Sequence, residues 1–161
     1  QHPLVREALR ITGITEGVEI TSMADIPAGT GMGSSSTFTV GLLNALFAYT
    51  GRHVSAQELA RLACEIEIDR VGEPIGKQDQ FAAAYGGLNT MEFLPDESVA
   101  VDPIICPRET KAERGASLML FYTGMTRKAG SILKDQQSRT EELSDPLKQM
   151  KAMVEEGRSI L

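Results

Sequence analysis

Tryptophan is absent from this sequence, aromatic residues of all kinds make up 5%, and 161 residues hold only two cysteines and two histidines. The cysteines, Cys64 and Cys106, form no CxxC pair and have no histidine cluster beside them. That argues against a disulfide framework or a structural metal centre and fits a reduced, cytoplasmic protein. Positive charge is also short: 16 basic against 22 acidic residues give a net charge of −6. Nucleic acids and anionic membranes are held by summed positive charge, so neither is expected as a partner. No apolar run approaches the roughly 20 residues that span a bilayer. The first residues lack the basic and apolar regions of a signal peptide, and the last helical pattern meets no stop signal beyond an isolated Gly157. An interior piece of a longer protein is therefore expected, with its oligomeric state left open.

What is present is an ordinary globular composition, 42% hydrophobic and 24% charged. Val18 to Met23 alternates apolar and polar side chains, as a half-buried strand does. A glycine-rich stretch follows, and then Thr37 to Thr50 is apolar almost all round, as in a buried helix, with Gly51 at the left-handed stop. Ser55-Ala-Gln-Glu58 is a capping box opening a helix whose stripe is Leu59, Leu62, Ala63 and Ile66, with Gly72 able to end it. A short helix over Gln78 to Tyr85 is closed by Gly86-Gly87. Strands are expected at Leu88 to Phe93, Val99 to Ile105 and Ser117 to Tyr122, then helices at Arg127 to Glu142 and Pro146 to Leu161, the latter with Asp145 as N-cap. Strands and helices in blocks predict an α+β fold. A change of composition over Pro95 to Gly115 marks a boundary between subdomains.

The glycine-rich stretch reads Ile26-Pro-Ala-Gly-Thr-Gly-Met-Gly-Ser-Ser-Ser36. Glycines at 29, 31 and 33 let the backbone take positive φ and approach a ligand closely. The following helix start offers free amides and partial positive charge. Together they make an anion site without lysine or arginine, which suits an acidic chain. A Walker A loop is excluded because no lysine stands in the loop, and the spacing GxGxG differs from the dinucleotide GxGxxG. A plain strand-to-helix turn is the simpler alternative, but it requires fewer glycines and serines than are present.

A second constellation runs from Glu65 to Gln80. Asp79 stands at the start of a short helix, where the dipole favours a carboxylate, and Lys77 is close in sequence. Such a carboxylate suits positioning or deprotonating a hydroxyl nucleophile, and Glu67 offers a hard oxygen to Mg²⁺. Taken alone, Asp79 as a cap and Glu67 as a solvated face is the weightier reading.

Pro27-Ala-Gly-Thr-Gly-Met-Gly-Ser-Ser-Ser36 resembles the second signature motif of the GHMP kinases (galactokinase, homoserine kinase, mevalonate kinase, phosphomevalonate kinase). Gly76-Lys-Gln-Asp-Gln80 followed by Gly86-Gly87 resembles the family's catalytic-aspartate segment. Both segments, and Phe121-Tyr-Thr-Gly-Met-Thr-Arg127, look most like the D-glycero-D-manno-heptose 7-phosphate kinase branch. The resemblance implies a part like domain 2 of ribosomal protein S5 over residues 1–112, followed by the start of a ferredoxin-like domain over 113–161. It implies an ATP- and Mg²⁺-dependent kinase acting on a sugar or sugar phosphate, at the anomeric hydroxyl if the heptose branch holds. Pro27, Gly29, Gly31, Gly33, Ser34, Ser35 and Ser36 would cradle ATP. Ser35, or its neighbour Ser34, would meet Mg²⁺ together with Glu67. Asp79 would be the base or electrostatic anchor, Lys77 its helper, and Arg127 a contact to the sugar phosphate.

The family's N-terminal signature and its third, glycine-rich motif have no counterpart here. The isolated chain is accordingly expected to be inactive and marginally stable. A non-catalytic nucleotide-binding homologue and a different GHMP kinase, galactokinase-, fucokinase- or mevalonate-kinase-like, stay open as alternatives. A dinucleotide-dependent oxidoreductase is the weakest, for want of an acid to read a ribose hydroxyl. Among the remaining residues, His2 and His53 read as surface, Cys64 and Cys106 as inert thiols, Met119, Met150 and Met153 as core, and Glu155 and Glu156 as a solvated face.

Overall fold

A computed structural model describes the chain except for residues 1, 27–28, 123, 125–132, 134, 137 and 161. Its described elements are α1 (Pro3–Thr12), α2 (Ser34–Tyr49), α3 (Ala56–Cys64), a π-helical segment (Glu65–Arg70), α4 (Gln78–Tyr85), β1 (Asn89–Phe93), β2 (Val99–Pro103), α5 (Arg108–Ala116) and α6 (Ser144–Ile160). The class is α+β. Two compact units divide these elements, one built on the described residues up to Gly86 and one on β1, β2, α5 and α6.

In the first unit α2 is the central helix. Leu43 and Phe47 are buried on it, along with Val40, Leu42 and Leu46, which is why its sequence is apolar on nearly every side. Leu4 and Ala8 of α1 and Leu59, Leu62, Ala63 and Ile66 of α3 and the π segment complete that core. Helix α1 packs on α2 and on the π segment, and α4 packs on both α2 and α3. Ser55 starts α3 by accepting a bond from Glu58 N at 3.2 Å. The carboxylate of Glu58 takes two bonds from Arg61 at 2.8 Å, so the capping box is made on the serine side and the glutamate serves the helix surface. Gly51 stands past the end of α2 at φ +72°.

Helix α1 is absent from the elements expected above, although Leu4, Ala8 and Ile11 recur at helical spacing between Pro3 and Gly13. Its inward face carries Glu7, only 4% exposed. Arg6 and Arg10 bond that carboxylate at 3.1 and 2.8 Å, and Arg70 stands 3.5 Å away.

In the second unit β1 and β2 form an antiparallel hairpin in which Met91 faces Val101. Asp96 closes its turn by accepting from both N and Oγ of Ser98, and Glu97 takes the positive φ. Helix α5 occupies the stretch expected to be a boundary.

Four expectations are corrected. Val18 to Met23 is not a strand; a strand needs a ladder partner, and β1 and β2 are the paired strands among the described residues. Residues 20–26 instead run beside α2 and frame an apolar cleft of about 570 Å³ with Met32, Thr37, Phe38 and Leu42. Ser117 to Tyr122 forms no strand for the same reason, and its side chains from Leu118 to Tyr122 are exposed. Met119, Met150 and Met153 are exposed rather than core: no residue of α6, which carries Met150 and Met153, is buried, and Met119 lies in the exposed stretch from Leu118 to Tyr122. Glu67 is fully buried rather than part of a solvated face. Half of the helix expected over Arg127 to Glu142, residues 127–132, 134 and 137, falls outside the described residues, and residues 139–142 form a turn. No described helix is long and apolar enough to cross a membrane.

Candidate functional site

Three parts of the first unit meet at the N-terminal end of α2. The glycine loop is the first. Gly29, Gly31 and Gly33 all sit at positive φ, +77°, +76° and +65°, which other residues adopt only at a cost. Gly33 is the N-cap of α2, its carbonyl accepts from Thr37 N at 2.9 Å, and no side chain caps the helix. The first amides of α2 therefore face outward with the dipole behind them, the arrangement that holds an anion. Helix α3 gives the contrast, since there Ser55 takes the amide of Glu58.

The π segment supplies the second part. A π turn inserts a residue into the helical register and is common at functional sites. Here it follows α3 without a break and carries Glu67 inward, at 0% exposure. A carboxyl group at that depth requires hydrogen-bond partners, and it has three. Ser35 Oγ donates to Glu67 Oε1 at 2.5 Å, Ser36 Oγ to Oε2 at 2.8 Å, and Gln80 Nε2 to Oε2 at 2.6 Å. Ser35 is exposed, so the cluster opens to solvent along that hydroxyl, whereas Ser36 is buried and its hydroxyl is committed to Glu67.

Helix α4 supplies the third part. Lys77 is its N-cap, and Asp79 lies in the first turn, exposed. A Cβ placed on Gly33 would stand 3.1 Å from Asp79 Cγ and 3.2 Å from Oδ2. The aspartate thus lies directly against the last glycine of the loop. Cys64, beneath, is held as a neutral thiol: burial pushes its pKa up to about 11, with Lys77 opposing the shift. It matches the expected inert thiol, and Cys106 is half-buried.

The structure therefore brings Gly33, Ser34, Ser35, Ser36, Glu67 and Asp79 to one end of α2, with Gly29 and Gly31 in the adjoining loop. Pro27 and Arg127 lie outside the described residues. Gln80, bonded to Glu67 in this cluster, was missed by the sequence reasoning. It is fully buried, and its only signal was its place beside Asp79 in Lys77-Gln-Asp-Gln80.

Mg²⁺ usually binds through one or two carboxylates plus the oxygens of phosphates and water. The pair Ser35 and Glu67 is a set of hard oxygen donors of that kind, and it fits. No group of three or more His, Cys, Asp or Glu that could hold a metal is found among the described residues.

Comparison with known proteins shows which family the chain resembles in sequence and fold. The D-glycero-alpha-D-manno-heptose 7-phosphate kinase of Campylobacter jejuni is 38% identical over 109 residues, covering 68% of this chain and 32% of that protein. A galactokinase of Pyrococcus furiosus is 30% identical over 141 residues, covering 88% and 37%. The crystal structure of a D-glycero-D-manno-heptose 1-phosphate kinase from Bacteriodes thetaiotaomicron superposes with a TM-score of 0.58 at 36% identity, covering 68% of this chain and 37% of that one. The chain spans about a third of the length of the curated relatives it matches. Residues 3–87, more than half of the chain, match the GHMP kinases N terminal domain, and the chain belongs to that family.

Proposed function

We propose that this chain holds the phosphates of ATP on the glycine loop and the start of α2 and supports phosphoryl transfer to a hydroxyl of a sugar or sugar phosphate. The observation that carries the reading is the contact of Gly33 with Asp79. It sets an exposed carboxylate beside the anion-binding end of α2, where an acceptor hydroxyl and a phosphoryl group have to meet. The names of the relatives, heptose phosphate kinases and galactokinases, favour a sugar acceptor. The anomeric hydroxyl of a heptose 7-phosphate is the specific acceptor proposed.

In this reading the amides of residues 29–36 bind phosphate oxygens. Ser35 and Glu67 would hold Mg²⁺, which, when bound, offsets charge on the phosphates. Asp79 accepts the acceptor's proton or anchors its hydroxyl, with Lys77 beside it at the N-cap. Arg127 is proposed as a contact for the sugar phosphate. The protein side of the chemistry is positioning and charge, because phosphoryl transfer asks little covalent work of the enzyme.

Sugar phosphate-dependent release of ADP by the full-length gene product tests this. Asp79→Ala should lower turnover by about 10²–10⁴-fold, the usual worth of a positioned acid–base group. Near wild-type turnover in that variant would remove Asp79 from the chemistry. Saturable ATP binding without turnover on any sugar phosphate or sugar would favour a non-catalytic nucleotide-binding role.

A further inference from the structure

Gln80 is buried at 0% exposure, yet half of its amide is unsatisfied: Oε1 has no hydrogen-bond partner. Its other half, Nε2, donates to Glu67 Oε2 at 2.6 Å. The reversed amide would set an oxygen instead of a donor against Glu67 Oε2 at that separation, so the observed orientation is the one that gives this carboxylate oxygen a donor. A buried acceptor left without a donor is costly, and here the cost is set against the bond to the carboxylate. The neighbouring residue, Asp79, lies against Gly33. Helix α4 therefore sends two successive side chains to two different parts of the site, one to the loop and one to the buried carboxylate.

We infer that Gln80 is a positioning residue: its amide fixes the Glu67 carboxylate, so that Oε1 stays turned to Ser35 for the divalent cation of the bound nucleotide. This rests on the reading that the site binds a metal–nucleotide complex. Ser36 shares Oε2 with Gln80, so Oε1, bonded to the exposed Ser35, is the oxygen left for a cation. Removing the Gln80 donor frees the carboxylate to rotate toward Ser36 and away from Ser35. The register of α4, and with it the spacing between Glu67 and Asp79, is held through the same bond.

The test uses the 161-residue chain and Mn²⁺ with ADP as the probe, followed by the electron paramagnetic resonance of the metal. Gln80→Met keeps the size and removes the donor; Gln80→Glu keeps the shape and sets a second carboxylate oxygen against Glu67. Both should weaken Mn²⁺·ADP by about 10–100-fold, the usual effect of losing a group that orients a metal ligand, while ADP binding in EDTA stays within about twofold. Gln80→Met added to Glu67→Gln should cost nothing more, because a residue that acts through another is non-additive with it. Full additivity, or variants that fold and bind Mn²⁺·ADP like wild type, would overturn the inference and leave the nucleotide reading intact. If wild type shows no metal-dependent ADP binding, the nucleotide reading falls and this inference with it. On the wild-type chain, which needs no variant to fold, the Gln80 side-chain amide resonances should shift when Mg²⁺ is added to the ADP complex. Unmoved resonances would also overturn the inference.

Discussion

Gly33 and Asp79 are separated by 46 residues in sequence and in contact in space: a Cβ on the glycine would come within 3.1 Å of the aspartate's Cγ. The contact ties the glycine loop, proposed to hold phosphate, to the carboxylate proposed to act on the acceptor. It also makes glycine at this position doubly necessary, once for φ +65° and once for room.

Gly33→Ala should therefore cost more than left-handed strain alone, which is about 1–2 kcal/mol for a residue with a Cβ. Gly13 is the internal control, since it has φ +74° and nothing within 4 Å of the place a methyl group would take. Urea denaturation of the two alanine variants should show Gly13→Ala near the strain value and Gly33→Ala beyond it. Equal losses would mean that the Asp79 contact carries no constraint.

The serines that share Glu67 should separate by role. Ser36 is buried and serves only the carboxylate, so Ser36→Ala should lower stability by about 1.5–3 kcal/mol, the worth of a bond to a charged group. Ser35 is exposed, and Ser35→Ala should weaken Mg²⁺·ADP more than it lowers the urea midpoint. The comparison needs urea melts and nucleotide titrations on both variants, and the reverse ranking would mean the two roles are exchanged.

Acid should weaken the anchorage of α1. The bond from Arg6 outweighs desolvation and, with Arg10 and Arg70, holds Glu7 below the ordinary carboxylate range. A lowered carboxylate stabilises the fold fully above its unfolded value, about 4.3, and the contribution is lost as pH falls through the folded value. The gap in melting temperature between wild type and Glu7→Gln should be constant near neutrality and close below about pH 4. A gap that widened in acid would contradict the assignment.

Alkylation should discriminate the thiols. Iodoacetamide at about pH 8 should modify Cys106 first and leave Cys64 intact until the protein unfolds, because only the thiolate reacts and Cys64 is buried with its pKa pushed up to about 11. Peptide mass spectrometry reads the order directly, and modification of Cys64 first would contradict its burial as a neutral thiol.

The legible parts of this structure were those written in local chemistry. Ser55 announces α3, the paired glycines 86 and 87 end α4, and the alternating glycines mark the loop, because each depends on a residue type at one position. What stayed hidden depends on partners or on register. Val18 to Met23 and Ser117 to Tyr122 have strand patterns, but a pattern without a ladder partner makes no strand. Glu67 looked exposed because a 3.6-residue period does not anticipate a π turn, and its donors stand 31, 32 and 13 residues away. Gln80 was hidden for the same reason, since its role is read from its bond to that carboxylate.

Everything proposed for this site depends on nucleotide phosphates binding at the start of α2. Backbone amide shifts of the 161-residue chain during titration with Mg²⁺·ADP test it most directly. Saturable shifts centred on residues 29–37, with a second set at Asp79 and Gln80, are the predicted result. No saturable shifts, or shifts confined to the β1–β2 hairpin, would contradict it.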